Sequence, residues 1–323
     1  MRSLRCSAPA TASGVDLALL LTTFSPTTPV RTVGGSGEAE LFKRIRPFLA
    51  TEGFEIMAGE DDSAVWSDRG VFTVASCDTS VEGVHFDLGW MTTEDAGWRA
   101  LAFALGDLAA KGALPWWALI SVAVPKSWTV DAFVGLYRGM DMLAVATGLK
   151  IIGGDTSATP GPATLTITVV GRADSLPLAR SQAQAGWSVA VSGPLGGSAA
   201  ALREQRVLRP EPRLAEGRRL NAAGLCCGDI SDGLVREMEK FAGASGTGCV
   251  IRAADLGVAY GATMDEALTS GEEVELVCVG PDESIRAAGL RPVGTMTESP
   301  EVRLVGTDGR PIKLALRGYD HFG

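Results

Sequence analysis

The chain has 323 residues, of which 46% are hydrophobic and 21% charged, so it holds enough apolar material for two ordinary domains. Its formal net charge of -9 argues against nucleic acid and anionic membranes as main partners, because both repel a negative surface. Six cysteines without a CxxC pair argue against a disulfide framework or structural zinc site, and they favour a reducing, cytoplasmic compartment.

The N-terminal residues 1–34 are rich in Ser, Thr, Ala and Pro, which is typical of a disordered leader. Their apolar run, 15–21, is too short for a membrane span and contains Asp16, which disfavours a targeting segment. A mis-assigned start, with Val33 as the true first residue, explains the composition equally well. The folded part is expected to begin near residue 35.

Helices and strands alternate along the first half of the chain. Apolar periodicity predicts a helix from residue 41 to near Gly53, a strand over 71–78, a helix over 94–111, a strand over 117–124, a helix over 130–147, a short strand over 150–152 and a strand over 163–172. A domain boundary near residue 172 would divide the chain into an N-terminal domain, 35–172, and a C-terminal domain, 173–323. The alternation predicts an α/β fold.

The second half continues this alternation. It predicts a strand over 187–191, a glycine turn over 193–197 before an alanine-rich helix, a helix over 213–226, a helix that opens at Ser231 or Asp232, and strands over 274–279 and 303–316.

Aspartates recur at the ends of these predicted elements. One such residue says little, because Asp commonly caps free backbone N–H groups there. If several converged, however, they would repel one another unless a cation neutralised them, and Mg²⁺ favours carboxylates together with phosphate oxygens. The aspartates are Asp61, Asp62, Asp78, Asp107, Asp155, Asp229 and Asp232.

The common motifs of other nucleotide-binding proteins are missing. No lysine follows a glycine, so there is no Walker A loop, and the His-Arg-Asp sequence of protein kinases does not occur. The segment 229–233 lacks the spacing and closing glutamate of an EF-hand. Phosphate binding therefore needs another arrangement.

Seven short motifs, in order over residues 37–323, resemble those of thiamine-monophosphate kinases. They are Asp61-Asp62-Ser63-Ala64-Val65, Ser76-Cys77-Asp78, Val81-Glu82-Gly83-Val84-His85-Phe86, Gly106-Asp107 with Lys111-Gly112, Gly153-Gly154-Asp155-Thr156, Asp229-Ile230-Ser231-Asp232-Gly233-Leu234 and Gly318-Tyr319-Asp320-His321-Phe322. The resemblance implies the two-domain α/β fold of aminoimidazole-ribonucleotide synthetase and selenophosphate synthetase. It also implies a homodimer whose N-terminal domains join their sheets, with ATP bound near the dimer interface.

The resemblance further implies a role for each matching residue, with magnesium and ATP as cofactor and co-substrate and thiamine monophosphate as acceptor. Magnesium would be held at Asp62, Ser76, Cys77, Asp78, Asp107, Asp155, Asp229 and Asp232, of which Asp78 and Asp232 would be catalytic; ATP would contact Gly154, Asp155, Arg180 and Ser231; and thiamine monophosphate would contact His85, Glu272 and Tyr319. The implied reaction is direct in-line transfer of the γ-phosphoryl group of ATP. It needs no strong general base, since the acceptor phosphate is already anionic near neutral pH.

Several of these residues have structural alternatives. His85 can cap a strand end, Arg180 can be a solvated surface residue, and Glu272 can belong to an ordinary acidic turn. Trp116 and Trp117 are expected to pack in the core rather than to stack on a base.

The chain departs from the family pattern at four places, one of which is the absence from 157–161 of an arginine that commonly follows the motif at 153–156. Cys77 replaces a usual threonine, Gly106 a usual serine, and Val274 a usual tyrosine near the acceptor site. Two alternatives therefore stand beside the kinase: another ATP-dependent enzyme of the superfamily with a different acceptor, and a non-catalytic nucleotide-binding paralogue.

Overall fold

The computed structural model describes residues 32–50, 52–57, 60–315 and 317–322. The predicted leader, 1–34, lies almost wholly outside them. The strands are Ala64–Asp68 (β1), Val71–Val81 (β2), Leu114–Val124 (β3), Lys150–Ala158 (β4), Thr164–Ala173 (β5), Ser188–Val191 (β6), Cys226–Asp229 (β7), Gly248–Arg252 (β8), Leu276–Gly280 (β9), Pro292–Thr297 (β10) and Val302–Val305 (β11). The α-helices are Glu38–Ile45 (α1), Thr93–Ala110 (α2), Val130–Thr147 (α3), Gly197–Arg203 (α4), Leu214–Ala222 (α5), Leu234–Ser245 (α6), Met264–Thr269 (α7) and Asp282–Ala287 (α8).

The first sheet has the order β1-β2-β5-β3-β4, with β3 and β4 parallel and the other pairs antiparallel. Its inner face packs on α2 and α3 around a common apolar core. α2 begins at a capping box between Thr92 and Asp95. α3 can approach α2 closely because Gly139 has no Cβ. A Cβ at this position would overlap the backbone of Glu94. This packing buries most of α2, including Asp107.

The outer face of this sheet is largely exposed and rich in hydroxyl groups. Thr79, Thr166, Ser121 and Asp155 are directly paired across four strands, so they share this face. Trp116 is 40% exposed with the Arg172 guanidinium 3.6 Å from its ring centroid, so the expectation that it packs in the core is wrong. Among the described residues, no helix is long and apolar enough to cross a membrane.

The second sheet has the order β11-β8-β10-β6-β9-β7. It carries its own core, in which Met238 and Phe241 of α6 are fully buried. A further cluster joins Ala109 and Ala110, at the end of α2, to Leu220 of α5 and to the second sheet. The end of α2 therefore lies against β7. β5 ends at Ala173, and the domain boundary near residue 172 stays a prediction.

Several predicted bounds differ from the structure. The predicted helix 213–226 ends at Ala222, because Gly224 takes a left-handed φ of 73° and the chain then enters β7. α6 starts after Gly233, so neither Ser231 nor Asp232 is its N-cap. β4 runs on through the motif at 153–156, and the predicted strand 303–316 is only Val302–Val305. The sequence analysis predicts no strand at four positions where the structure has one: β1, β7, β8 and β10.

Candidate functional site

Three carboxylates from separate elements converge between the two sheets. Asp62 lies just before β1, Asp107 in the last turn of α2 and Asp229 at the end of β7. One oxygen from each lies within 4.8 Å of the others. Gly106 lies directly beside one of them, since a Cβ there would lie 3.0 Å from Asp229 Oδ2. The glycine that replaces the usual serine thus leaves room for this carboxylate.

β2 adds two predicted ligands to the same place. Ser76 Oγ donates to the Asp107 carboxylate and lies 3.1 Å from the backbone oxygen of Asp62. Asp78, two residues along the strand, shares this inner face with its paired residue Ile167. Burial, followed by the charges of Asp62 and Asp232, raises its pKa from 3.8 to about 6. Asp78 is therefore close enough to those carboxylates to be repelled by them.

The electrostatics of this cluster favour a bound cation. Burial raises the pKa of Asp107 and of Asp229 well above the usual range, and neighbouring carboxylates raise both further. Asp62 Oδ2 is buried and receives no hydrogen bond. Buried carboxylate oxygens without donors are costly unless a cation compensates them, and Mg²⁺ takes such ligands. The donor set therefore fits a magnesium ion.

A fully buried lysine lies directly behind the cluster. Lys111 pairs with Asp61, lies 3.7 Å from Asp62 Oδ2 and donates to the backbone oxygen of Cys227 at 2.9 Å. Burial alone would raise the pKa of Asp61, but Lys111 and Arg180 outweigh it and lower that pKa. Asp61 is thus neutralised by the protein itself, and Lys111 ties the end of α2 to β7.

Arg180 is buried, so the alternative of a solvated surface arginine is wrong. Its side chain is 4% exposed and pairs with Asp62 and, at 2.6 Å, with Glu237. Glu237 in turn pairs with Lys240, whose Nζ also donates to Asp232 Oδ2 at 2.8 Å. Both cations therefore reach predicted metal ligands.

The predicted acceptor residues His85 and Tyr319 meet at His321. His85 Nδ1 accepts a hydrogen bond from the Val81 N–H at 3.0 Å, which leaves Nε2 to carry the proton of the neutral ring. The rings of His85 and His321 are 5.2 Å apart, and Tyr319 meets His321 edge-on at 4.8 Å. Burial lowers the pKa of His85. Tyr319 N also donates to the backbone oxygen of Asp232 at 3.0 Å, which holds this aromatic group beside the carboxylates.

Glu272 lies in a strained segment rather than in an ordinary acidic turn. Its φ is 58°, and that of Val274 is 57°, both uncommon for residues with a Cβ. Its N–H donates to the backbone oxygen of Ser231 at 2.8 Å, and its carboxylate pairs with Arg99. The segment thus meets the exposed Ser231 of the predicted nucleotide motif.

Two predicted ligands do not join the cluster within one chain. Asp155 lies on the outer face of the sheet, three strands from β2 and so roughly 14 Å away. Cys77 also faces outward, with Sγ 3.4 Å from Thr168 Oγ1, so only its backbone lies towards Asp78. Gly154 lies in the same edge strand as Asp155, where it pairs with Ile120 of β3. One chain therefore cannot use Asp155 together with Asp107.

Comparison with known proteins shows the family to which the chain belongs. Residues 59–173 match the family model of the AIR synthase related protein, N-terminal domain. The thiamine-monophosphate kinase of Bacillus subtilis is 30% identical over 304 residues, covering 83% of this chain and 94% of that protein. The enzyme of Synechococcus elongatus is 31% identical over 90% of this chain and 98% of its own length. The chain belongs to the thiamine-monophosphate kinase family.

Solved structures confirm the α/β fold with its two sheets. The structure described as AaThiL complexed with AMPPCP and TMP superposes with a TM-score of 0.79 at 28% identity, covering 92% of this chain and 100% of that one. The HypE component of a HypE–HypF complex reaches a TM-score of 0.70 at 17% identity, which shows a shared fold alone.

Four charged residues of this thiamine-monophosphate kinase family member were not singled out from the sequence. Lys111 lies in one of the seven motifs but has no predicted role. The sequence feature that could have indicated its burial is a cation between Ala110 and Gly112 at the end of a buried helix. Glu237 and Lys240 have the i, i+3 spacing of a helical ion pair. Arg99 gave no signal, since its partner Glu272 lies far along the chain.

Proposed function

We propose that this chain catalyses the ATP-dependent phosphorylation of thiamine monophosphate to thiamine diphosphate with Mg²⁺. The observation that carries the proposal is the convergence of Asp62, Asp107 and Asp229 around a buried carboxylate oxygen that lacks a donor. The family relationship supports the choice of substrates, because the relative of similar structure binds AMPPCP and TMP.

Asp62, Asp107 and Asp229 would hold the magnesium, with Asp78 and Asp232 at its border. A bound Mg²⁺ would supply positive charge to the oxygens of the ATP phosphates. Without it, the anionic phosphates would face a cluster of like charges. The chain's own contribution is to fix these carboxylates from β1, α2 and β7 so that they need no rearrangement when the metal arrives.

Other predicted residues border this cluster. Ser231 would contact the nucleotide, and Arg180 would become available to it once Asp62 binds metal. His85, Tyr319 and Glu272 would orient the acceptor, and the last two are held next to the 229–232 segment by hydrogen bonds to the backbone oxygens of Asp232 and Ser231. Direct in-line transfer needs positioning and neutralised charge more than a general base, which suits a site with many aspartates and neutral His85.

A homodimer would account for Asp155, which the single chain leaves far from the cluster. β4 is an open sheet edge along its whole length, and β1 pairs with β2 only as far as Ala75 among the described residues. The half of β2 that carries Ser76 and Asp78 is therefore a second open edge. Pairing β4 of one copy with this half of β2 of another would join the two sheets and place Asp155 on the strand next to Asp78, rather than three strands away.

Subunit mixing tests this dimer. Asp155→Asn and Asp229→Asn should each inactivate the homodimer, whereas a heterodimer of the two would keep one intact site. An equal mixture, refolded together, should recover about a quarter of wild-type activity. The two variants have the same mass, so one of them carries an affinity tag, and mass spectrometry then resolves the heterodimer. Absence of recovery with heterodimers present would show that Asp155 acts within its own chain or not at all.

The reaction itself is tested by incubating purified protein with ATP, Mg²⁺ and thiamine monophosphate. Thiamine diphosphate and ADP should form in equal amounts, and Asp229→Asn should abolish both. If no thiamine diphosphate forms, the proposal fails. ADP release with another phosphorylated acceptor would then favour a different enzyme of the superfamily, and nucleotide binding without turnover would favour a non-catalytic paralogue.

A further inference from the structure

Glu237 is a fully buried carboxylate whose two oxygens are both occupied by cations. It lies in the first turn of α6, with a side chain 0% exposed. Oε2 accepts from Arg180 Nη2 at 2.6 Å, and Oε1 accepts from Lys240 Nζ. A buried carboxylate needs compensation of this kind, because its charge has lost its hydration. One cation would satisfy it, and here there are two.

Each of the two cations is shared with a predicted metal ligand. The same Arg180 Nη2 contacts Asp62 Oδ1, and the same Lys240 Nζ contacts Asp232 Oδ2 at 2.8 Å. The charges therefore alternate in sign along a series of ion pairs that runs Asp62, Arg180, Glu237, Lys240, Asp232. Glu237 is its centre, and its ends are two carboxylates of the proposed magnesium site.

We propose that Glu237 is a positioning residue that holds Arg180 and Lys240 beside the metal site. In the absence of metal, these two cations neutralise Asp62 and Asp232. When magnesium binds, they leave Asp62 and Asp232 and stay paired with Glu237. The inference rests on the proposed magnesium site. Magnesium and these two cations compete for the same carboxylates, those of Asp62 and Asp232. Glu237 provides a place for the displaced cations, which keeps the cost of displacing them low.

The charges predict opposite effects for the two ends of the Glu237–Lys240 pair. Glu237→Gln leaves Arg180 and Lys240 with only the metal ligands as partners, so they hold Asp62 and Asp232 more tightly. Magnesium affinity then falls. Lys240→Met removes the competitor at Asp232, and magnesium affinity rises. A purely structural role for this network predicts instead that both variants lose stability and bind magnesium equally or more weakly.

The experiment is a magnesium titration of the full chain with AMPPCP present, followed by isothermal calorimetry and by thermal unfolding. Relative to wild type, Glu237→Gln should weaken magnesium binding by at least about tenfold, since the charges of Arg180 and Lys240 are then balanced only by the carboxylates that magnesium needs. Lys240→Met should tighten it by about threefold, because Lys240 is partly exposed and its charge is partly screened. The matched control is Glu239→Gln, which makes the same charge change on the same helix but at a residue that pairs with Arg317.

Glu239→Gln should leave magnesium affinity within about twofold of wild type, as expected for an exposed pair. If Glu237→Gln does not fold, Glu237→Asp replaces it. This variant keeps the charge and should bind magnesium nearly as wild type does, while Lys240→Met should still bind it more tightly. Weaker magnesium binding by both variants would contradict the proposed role of Glu237. Shifts of Glu237→Gln and Lys240→Met in the same direction would overturn the inference while the magnesium site stands. A wild-type protein that binds no magnesium would overturn the proposed function and this inference together.

Discussion

Arg99 in α2 donates from Nη2 to Oε2 of Glu272, which joins the helix under the first sheet to the loop before β9. The Arg99 side chain is 7% exposed, and its Nη1 donates to the backbone oxygen of Leu208 at 3.0 Å. Glu272 has a left-handed backbone, which is uncommon for a residue with a Cβ. The ion pair thus fixes the orientation of a strained residue that the family pattern assigns to the acceptor.

Burial gives Glu272 a pH-dependent effect on stability. It raises the pKa of Glu272 from 4.5 to about 7, although Arg99 acts in the opposite direction. The folded state therefore binds the proton more tightly than the unfolded state. This contribution is fully present below pH 4.5 and is lost as the pH rises through about 7, so the free energy of unfolding falls across that window.

Glu272→Gln should remove this pH dependence. Denaturant unfolding of wild type and variant at several pH values between 4.5 and 7.5 gives the difference in their free energies of unfolding. That difference should move in favour of the variant as the pH rises. Comparing the two proteins cancels the other titrating groups. A difference that is constant with pH would contradict the assignment.

Arg99→Met should weaken use of the acceptor while leaving ATP almost unaffected. A charged hydrogen bond contributes about 1.5–3 kcal/mol, so kcat/KM for thiamine monophosphate should fall by roughly 10–100-fold. The KM for ATP should stay within about twofold, because Arg99 pairs with Glu272 and not with the carboxylates proposed to hold the metal. Arg99→Lys, which keeps the charge, should be intermediate. Equal losses towards both substrates in steady-state kinetics would show that Arg99 acts on the fold in general.

The sequence predicts the local parts of this molecule best. The helices over 94–111 and 130–147 agree with α2 and α3 because their apolar period and their Thr92 and Thr129 caps are local signals. β7 has no such signal, since its four residues are all buried and their side chains do not alternate. The sequence predicts the start of β4 at 150–152 but not its extension through Gly153 and Gly154, because glycines resemble a loop until pairing with β3 fixes them.

The site was predictable as a set of motifs but not as a geometry. Aspartates at the ends of predicted elements, within the matching motifs, predicted Asp62, Asp107 and Asp229 as metal ligands, and these three do converge. The face on which Asp155 lies depends on a register shift next to Ala118, which no local pattern reveals. Buried cations such as Lys111 were missed for a related reason. A charge can be buried only where a distant partner meets it, and that meeting is a property of the whole fold.

Asp107→Asn should make the metal-free protein more stable and abolish its response to magnesium. Burial and three neighbouring carboxylates raise the pKa of Asp107, so its charge at neutral pH is unfavourable to the folded state. Without that charge the Tm in EDTA should rise by about 2–4 °C, equivalent to roughly 1 kcal/mol. Adding Mg²⁺ and AMPPCP should raise the Tm of wild type but not of the variant. Asp174→Asn, at a side chain 79% exposed, is the control and should change neither value. A lower Tm for Asp107→Asn in EDTA would contradict the repulsion.

Gly154→Ala should destabilise the first sheet far more than Gly153→Ala. Both glycines have φ values near the limit of the glycine-only region, 148° for Gly153 and 155° for Gly154, so both substitutions strain the backbone. A Cβ at Gly153 would meet only Leu119 Cδ2 at 4.0 Å, whereas a Cβ at Gly154 would overlap the backbone oxygen of Ile120. We expect a loss of about 1–2 kcal/mol for Gly153→Ala and more than about 3 kcal/mol for Gly154→Ala, because only the second must move a strand. Urea unfolding of the two variants measures this difference. Equal losses would mean that β4 can shift away from β3, and the position of Asp155 on the outer face would then not be fixed by this pairing.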